Sequence, residues 1–154
     1  LMKKSSLLCL SIFASFILFV YPVWGQDITP PELISIDMSP ASVDVSSAPA
    51  DITVTVQLTD NSSGAASWSI TFLSPSGSQN LPISASPGLV TGTITSGTFK
   101  GANTLPQGSE EGVWTANILT VTDEAGNSAD INLSSYGIFI IQVGSTLEDL
   151  APPE

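Results

Sequence analysis

Residues 51–59 read Asp-Ile-Thr-Val-Thr-Val-Gln-Leu-Thr, and every second side chain in this stretch is apolar. The apolar positions are Ile52, Val54, Val56 and Leu58. Successive side chains of an extended strand point to opposite faces, so these four share one face and the polar residues share the other. The stretch therefore predicts a β-strand that is buried on one side.

The same period of two continues on both sides of this strand. Residues 67–73 alternate around Trp68, Ile70 and Phe72. Upstream, the apolar residues Ile34, Ile36, Met38, Val43 and Val45 predict a first strand that is interrupted at Pro40. Proline is tolerated at sheet edges, so we expect an edge strand that switches there from one sheet to another.

Downstream, the apolar blocks of the chain show an interruption of a different kind. Trp114 and Ala116 are out of phase by one residue with Leu119 and Val121, which predicts a bulge near residues 117–118. A last apolar run, residues 138–143, closes the unit.

Turn-forming residues separate these runs, and no window has a helical period. Examples are the segments 60–64, 75–77, 106–108 and 124–127. Short strands at this spacing predict an all-β fold, an immunoglobulin-like antiparallel β-sandwich of about seven to nine strands. The aromatic residues expected in its core are Trp68, Phe99, Trp114, Tyr136 and Phe139.

The first 25 residues have the features of a signal peptide. Lys3 and Lys4 form a positive n-region, residues 7–20 are apolar or small, and Val23 and Gly25 suit a cleavage site before Gln26. We expect a secreted or cell-surface protein that meets the membrane only through its signal peptide during export.

Two rival interpretations of this segment are weaker. A membrane anchor needs about 18 or more uninterrupted apolar residues, and fewer precede Tyr21. A lipoprotein signal would use Cys9, but Leu8 stands where a small residue is required.

A short internal repeat predicts a tandem array. Residues 27–32, Asp-Ile-Thr-Pro-Pro-Glu, return 122 residues later as Asp-Leu-Ala-Pro-Pro-Glu at 149–154. That distance is the length of one ordinary domain. We therefore expect a signal peptide at 1–25, one sandwich repeat at 26–146, and a linker with the start of a second repeat at 147–154.

Composition excludes several classes of function. Beyond residue 25 the chain has one basic residue, Lys100, against 14 acidic ones, a formal charge of −13, so nucleic acid is excluded as a partner. There is no histidine, and Cys9 is the single cysteine. The usual nucleophile and base pairs cannot be assembled, and no spacing of carboxylates indicates a glycosidase, so we expect no enzymatic activity.

Several motifs resemble the bacterial Ig-like repeats of secreted adhesins and cell-surface proteins. They are the opening Asp-x-x-Pro-Pro-Glu-Leu (27–33), Val-Gln-Leu-Thr-Asp-Asn-Ser-Ser-Gly (56–64), Phe-Leu-Ser-Pro-Ser-Gly (72–77), Gly-x-Trp (112–114) and Val-Thr-Asp-Glu-Ala-Gly-Asn (121–127). The resemblance covers nearly all of residues 27–143. It implies adjacent Ig-like repeats of the same chain as partners, and calcium near the junctions between them.

Oxygen-bearing side chains cluster in segments that alternating strands bring to one end of a sandwich. They are Asp27, Asp60, Asn61, Asp123, Glu124 and Asn127. Calcium takes six to eight such oxygen ligands in a flexible cage. The other interpretation is that Asp60 and Asp123 cap turns by accepting bonds from nearby amides. The two roles are compatible.

Three functions remain open at this stage. The leading hypothesis is a structural or adhesive module that spaces or presents a functional domain. A second is a module that binds a glycan or a cell-surface protein through its loops or a sheet face. A third is an accessory domain of a secreted hydrolase.

Overall fold

The computed structural model describes residues 26–137 and 140–144. The expected signal peptide, the segment 147–154 and Phe139 lie outside these residues. The described part of the chain contains eleven strands and one 3₁₀ turn, and none of it forms a helix long and apolar enough to cross a membrane. The strands are β1 Glu32–Ser39, β2 Ser42–Val43, β3 Ala50–Thr59, β4 Ala65–Leu73, β5 Asn80–Ala85, β6 Leu89–Thr93, β7 Ser96–Leu105, β8 Gly112–Thr115, β9 Ile118–Asp123, β10 Ser128–Asn132 and β11 Ile140–Val143.

These strands form two sheets. The four-stranded sheet has the order β1-β3-β7-β6. In the seven-stranded sheet, β4 pairs with β5 on one side and with β8 and β9 on the other. Beyond them, β10 lies beside β9, β11 beside β8, and β2 beside β11. The two sheets correspond to the A-B-E-D and G-F-C sheets of an immunoglobulin-like sandwich, which confirms the predicted fold class.

The strand count exceeds the predicted seven to nine because two strands are interrupted. β1 pairs with β3 in one sheet and β2 pairs with β11 in the other, so the chain changes sheets around Pro40 as predicted. β8 and β9 both pair with β4, across an irregularity at residues 116–117. On β4, Ile70 and Leu73 are three positions apart. Their partners, Leu119 and Thr115, are four positions apart, so the segment that joins β8 to β9 contains one extra residue.

The core lies between the two sheets and contains most of the predicted side chains. Ile52, Val54, Val56 and Leu58 are fully buried, as are Phe99 and both strand tryptophans, Trp68 and Trp114. Two apolar side chains lie outside the core, and for Tyr136 the expected core position was wrong. Ile34 is 50% exposed because the β1–β3 register shifts between Leu33 and Ser35, which turns Leu33 inward instead. Tyr136 is 40% exposed because it ends the 3₁₀ turn Leu133–Tyr136, from which its hydroxyl donates to the Leu33 carbonyl over 2.8 Å.

The sheets approach each other closely at Gly101 on β7. A Cβ atom at this position would lie 2.8 Å from the Ser84 carbonyl oxygen and 2.9 Å from Cη2 of Trp68. Real carbon atoms do not approach that closely, so the tryptophan ring occupies the space that a side chain at 101 would need. The central tryptophan therefore depends on a glycine in the facing sheet.

Strand directions define two ends of the sandwich. The N-terminal pole comprises segment 26–31 with the loops 60–64, 94–95 and 124–127, which are tied together by backbone bonds such as Asp60 N to Thr95 O. The C-terminal pole comprises the loops 44–49, 74–79 and 106–111 with Gly144, joined by Gly108 N to Val45 O and Gly144 N to Val43 O. The described chain thus enters at one pole and leaves at the other.

Candidate metal centre

Three carboxylates from distant parts of the chain meet at the N-terminal pole. Asp27 precedes β1, Asp60 follows β3, and Asp123 ends β9. One carboxylate oxygen from each lies within 4.8 Å of the others. Asp27 and Asp60 are partly buried, and Asp123 is only 2% exposed.

A tight turn holds Asp60. Its Oδ1 accepts hydrogen bonds from the amides of Ser62 (3.0 Å) and Gly64 (2.6 Å). Gly64 has φ of +88°, and a Cβ there would meet Ile94 Cγ1 at 2.6 Å, so only glycine suits the position. With Oδ1 engaged by the turn, Oδ2 is the oxygen that remains for another partner.

Asn127 connects the carboxylate of Asp123 with the backbone of Asp27. Its backbone amide donates to Asp123 Oδ1, and its side-chain Nδ2 donates to Asp123 Oδ2, each over 2.7 Å. The same Nδ2 donates to the Asp27 carbonyl over 3.1 Å. Asn127 therefore acts as a bridging donor, and ligation of a cation through its Oδ1 would require the amide to turn.

Asp27 links segment 26–31 to the loop 60–64. Its Oδ1 accepts from the amide and the hydroxyl of Thr29, both at 3.1 Å. Its Oδ2 accepts from the Ser63 amide over 2.9 Å. Pro31, two residues beyond Thr29, is buried, so the segment follows the surface of the sandwich.

These contacts lower the pKa of two of the carboxylates, Asp27 and Asp123. Ser63, through its hydroxyl and its amide, and then Thr29 lower the pKa of Asp27 to about 2. Burial raises the pKa of Asp123, as does the Asp27 charge, but Asn127 and the Ser63 hydroxyl outweigh them and hold the pKa below its ordinary value. Both pKa values are lowered because the donors bond to the charged form of the carboxylate.

Two polar atoms inside the cluster have no hydrogen-bond partner. They are Asp60 Oδ2 and Ser63 Oγ, both shielded from solvent. The Ser63 hydroxyl lies close enough to affect Asp27 and Asp123, but it is not aligned for a full hydrogen bond with either. A buried oxygen without a partner is costly, and a charged one especially so.

Within residues 26–137 and 140–144, no positive side chain neutralises the cluster. Lys100, the one basic residue in the described part of the chain, is exposed on the outer face of the four-stranded sheet, opposite Thr55. Three formal negative charges therefore lie within 4.8 Å of one another with only hydrogen-bond donors around them. Carboxylate oxygens are ligands of the kind that calcium and magnesium take in proteins.

The six predicted ligands fall into three groups. Asp27, Asp60 and Asp123 come together, and Asn127 bridges two of them. Asn61 and Glu124 belong to the same loops but are exposed, and Glu124 contributes its backbone amide to the Gly64 carbonyl. Ser63 was missed, although it lies within the quoted loop motif three residues after Asp60. Cation binding by these residues stays a prediction.

Comparisons with known proteins add little to this geometry. No protein-family model matches the sequence, and no curated protein matches it at a significant level. Among solved structures, the chain is similar to the CARDB domain of a Pyrococcus furiosus protein that was solved in complex with di-metal ions. The identity is 18%, the TM-score is 0.40, and the match covers 75% of this chain and 90% of that domain. At this level the likeness carries no argument about ligands, and the chain is classed as an Ig-like β-sandwich by its own topology.

Proposed function

We propose that this protein is a non-enzymatic extracellular Ig-like module, one unit of a tandem array that spaces or presents a functional domain. We further propose that its N-terminal pole binds calcium where the chain enters the sandwich. The cation would then join the incoming segment to the two loops that meet it.

The observation that carries the proposal is the convergence of Asp27, Asp60 and Asp123 around a buried oxygen that has no partner. Oxygen ligands alone favour calcium or magnesium over zinc or copper, which prefer nitrogen and sulfur. The ligands come from a terminal segment and two loops, an arrangement more compatible with the flexible cage of calcium than with the strict octahedron of magnesium.

Turn capping is the competing explanation. It accounts for the bonds of Asp60 to Ser62 and Gly64 and for those of Asp123 to Asn127. It does not account for the proximity of the three carboxylates, or for the lack of a hydrogen-bond partner at the buried Asp60 Oδ2. The two explanations therefore differ in what happens when calcium is removed.

Calorimetric titration of residues 26–146 with calcium chloride tests the site directly. Extracellular calcium modules bind with dissociation constants of about 10⁻⁴ to 10⁻³ M. A ligand at one hundred times its dissociation constant adds about 2.7 kcal/mol to the free energy of unfolding. The melting temperature should therefore rise in calcium and fall again in chelator, and magnesium should have a smaller effect.

Matched variants separate the two explanations. Asp60→Asn should abolish the calcium response, whereas Asp37→Asn, which removes one exposed charge from β1, should leave it intact. If the wild-type protein shows neither binding heat nor a melting shift, calcium is excluded. If Asp60→Asn lowers stability equally with and without calcium, Asp60 is only a turn residue.

The array is supported by the positions of the two ends and by the sequence. The chain enters at the N-terminal pole and β11 ends at the C-terminal pole, which suits a head-to-tail arrangement. Asp149 and Glu154 repeat Asp27 and Glu32. A protein of two consecutive units should be elongated in small-angle X-ray scattering in calcium, and a compact side-by-side pair would contradict the spacer role.

A second candidate function is glycan or protein binding by the outer face of the seven-stranded sheet. A shallow groove of about 470 Å³ lies there, lined mainly by the hydroxyl residues Ser67, Ser69, Ser84, Ser86, Thr120 and Thr122. Hydroxyl groups both donate and accept hydrogen bonds, which suits a neutral sugar. Glycan-array binding by residues 26–146 that is lost in Ser69→Leu would favour this alternative.

A further inference from the structure

We infer that Ile28 is the apolar contact through which one unit docks onto the unit before it, and that Pro75 and Val113 of the preceding unit form the surface that receives it. The preceding unit is that of the proposed array, on which the inference rests. Ile28 lies at the N-terminal pole and is 77% exposed. Its side chain is therefore almost uncovered within a single unit.

The bonds around Ile28 hold it in a fixed position. The carbonyl of Asp27, the residue before it, accepts from Asn127 over 3.1 Å. The amide and the hydroxyl of Thr29, the residue after it, donate to Asp27 Oδ1, both over 3.1 Å. A β-branched side chain also has few rotamers. A partner that covers Ile28 therefore orders little that is not already ordered, which favours binding.

The internal repeat keeps a large aliphatic residue at this position. Residues 149–154 repeat residues 27–32, and Leu150 corresponds to Ile28. The next position changes from threonine to alanine. One exposed aliphatic side chain is common on a protein surface and needs no partner. Its return in the repeat, at a position that the single domain leaves in solvent, indicates a contact outside that domain.

The connection between units is too short to hold the two poles far apart. β11 leads to Gly144 at the C-terminal pole, and Leu150 follows six residues later. Six residues span at most about 20–22 Å when fully extended. The two sheets of a sandwich are only about 10 Å apart. Position 28 of the following unit is therefore within reach of the whole C-terminal pole of the unit before it.

Pro75 and Val113 form an exposed apolar surface beside the end of β11. Gly112 pairs with Val143, and a Cβ atom on Gly112 would lie 2.9 Å from Pro75 Cγ. The exposed ring of Pro75 therefore lies against the last strand pair of the unit. Val113 is the next residue on β8 and is 42% exposed. This surface is the apolar one that an incoming side chain meets next to the point where the chain leaves.

The charges of the two poles explain why the contact has to be apolar. The N-terminal pole carries three carboxylates, and the loops of the C-terminal pole carry Asp44, Glu110 and Glu111. In the part of the chain that the structure describes, the one basic residue is Lys100, on the outer face of the four-stranded sheet. No ion pair between these poles can therefore offset the repulsion. At about 0.15 M salt the repulsion is screened beyond about 8 Å, and apolar burial is not.

Backbone relaxation in nuclear magnetic resonance tests the inference on a chain in which the unit is duplicated. Residues 26–148 are followed by residues 27–154, so Ile28 of the second copy takes the place of Leu150. If the units dock, the strand amides of both should report the slow tumbling of one elongated body in calcium at physiological salt. Independent tumbling, as fast as that of the chain with one unit, would overturn the inference.

Matched variants assign the contact. Ile28→Ser in the second copy should lower the ratio of docked to undocked molecules by about tenfold or more, the change expected for burial of one aliphatic side chain. Val113→Ser in the first copy should do the same. Val90→Ser is the control, because it changes a side chain that is 57% exposed on β6, away from the junction. Unchanged tumbling in Ile28→Ser or in Val113→Ser would overturn the inference.

The same variants separate this contact from folding and from the proposed calcium site. Ile28 is exposed and has no side-chain oxygen, so Ile28→Ser in the chain with one unit should keep the melting temperature and the calcium response of wild type. If the single unit binds calcium but two units tumble independently, the inference fails and the calcium site stands. If two units dock equally in calcium and in chelator and titration shows no binding heat, the calcium site fails and the inference stands.

Discussion

The Ser63 amide donates to Asp27 Oδ2 over 2.9 Å, although 36 residues separate the two along the chain. This bond attaches the segment before the first strand to the loop between β3 and β4. The Asp27 carbonyl extends the attachment to the β9–β10 turn through Asn127. Residues 26–31 therefore belong to the domain and are more than a linker.

Asp27→Asn should weaken this attachment. In the variant an NH2 group replaces one of the two carboxylate oxygens. This group either faces the Ser63 amide, which is also a donor, or replaces the oxygen that accepts the two bonds from Thr29. The melting temperature should therefore fall by several degrees even in chelator. The calcium response should also fall. Asp37→Asn is the control, because it removes an equal charge from an exposed position of β1. Equal melting temperatures for the two variants would show that the attachment contributes nothing to stability.

Val54→Asp and Thr55→Asp should differ sharply in stability. Val54 is fully buried, so an unpaired charge there should cost more than about 4 kcal/mol and prevent folding in most conditions. Thr55 faces outward opposite Lys100 on β7, so an aspartate there gains a cross-strand partner worth about 0.2–1 kcal/mol. Urea unfolding of both proteins measures the difference, and similar midpoints would mean that the face assignment is wrong.

Gly101→Ala should destabilise the domain although it adds one methyl group. The new Cβ would lie within 3 Å of the Ser84 carbonyl and the Trp68 ring, and overpacking of this kind costs about 1–3 kcal/mol. The control is Ala102→Val, an exposed change on the same strand that should stay within about 0.5 kcal/mol. Thermal unfolding followed by tryptophan fluorescence would also report movement of the Trp68 ring.

Glu110→Gln should change the response of stability to acid. The Ser76 hydroxyl, with the Ser74 hydroxyl and the Ser76 amide, lowers the pKa of Glu110 against an opposing effect of burial. Because the folded-state pKa is depressed, the stabilisation is complete above the unfolded-state pKa of about 4.3 and is lost as the pH falls through the folded value. The variant should melt below wild type at pH 7, and the two should converge in acid.

The neighbouring residue supplies the control for that experiment. Glu111→Gln removes the same charge from an exposed position one residue away. Its melting temperature should follow that of the wild-type protein across the whole pH range. If the difference in melting temperature between the wild-type protein and Glu110→Gln stays constant down to pH 2, ionisation of Glu110 is not the cause of that difference.

The fold was largely predictable because its signals are local. The alternation in residues 51–59 shows the buried face of β3 without knowledge of any neighbour. Pro40 and the phase change after Ala116 are also visible in the sequence, and both correspond to real interruptions. The exposure of Tyr136 and Ile34 was not predictable in this way, because it depends on a 3₁₀ turn and on a shift of register against β3.

The candidate site was predictable in part for a different reason. Alternating strand directions were enough to bring Asp27, Asp60 and Asp123 to one pole. They do not determine the turn geometry that leaves Asn61 and Glu124 facing solvent. Strand directions also do not reveal that the backbone amide of Ser63 donates a hydrogen bond to the Asp27 carboxylate.

The change of sheet around Pro40 also determines where this domain can be cut. Residues 32–43 cover the open side of β3 in one sheet and of β11 in the other. A protein that started near Ala50 would expose unpaired backbone groups on both sheets at once, and such edges pair with other chains. Truncation at this point should therefore produce polymers rather than a smaller soluble domain.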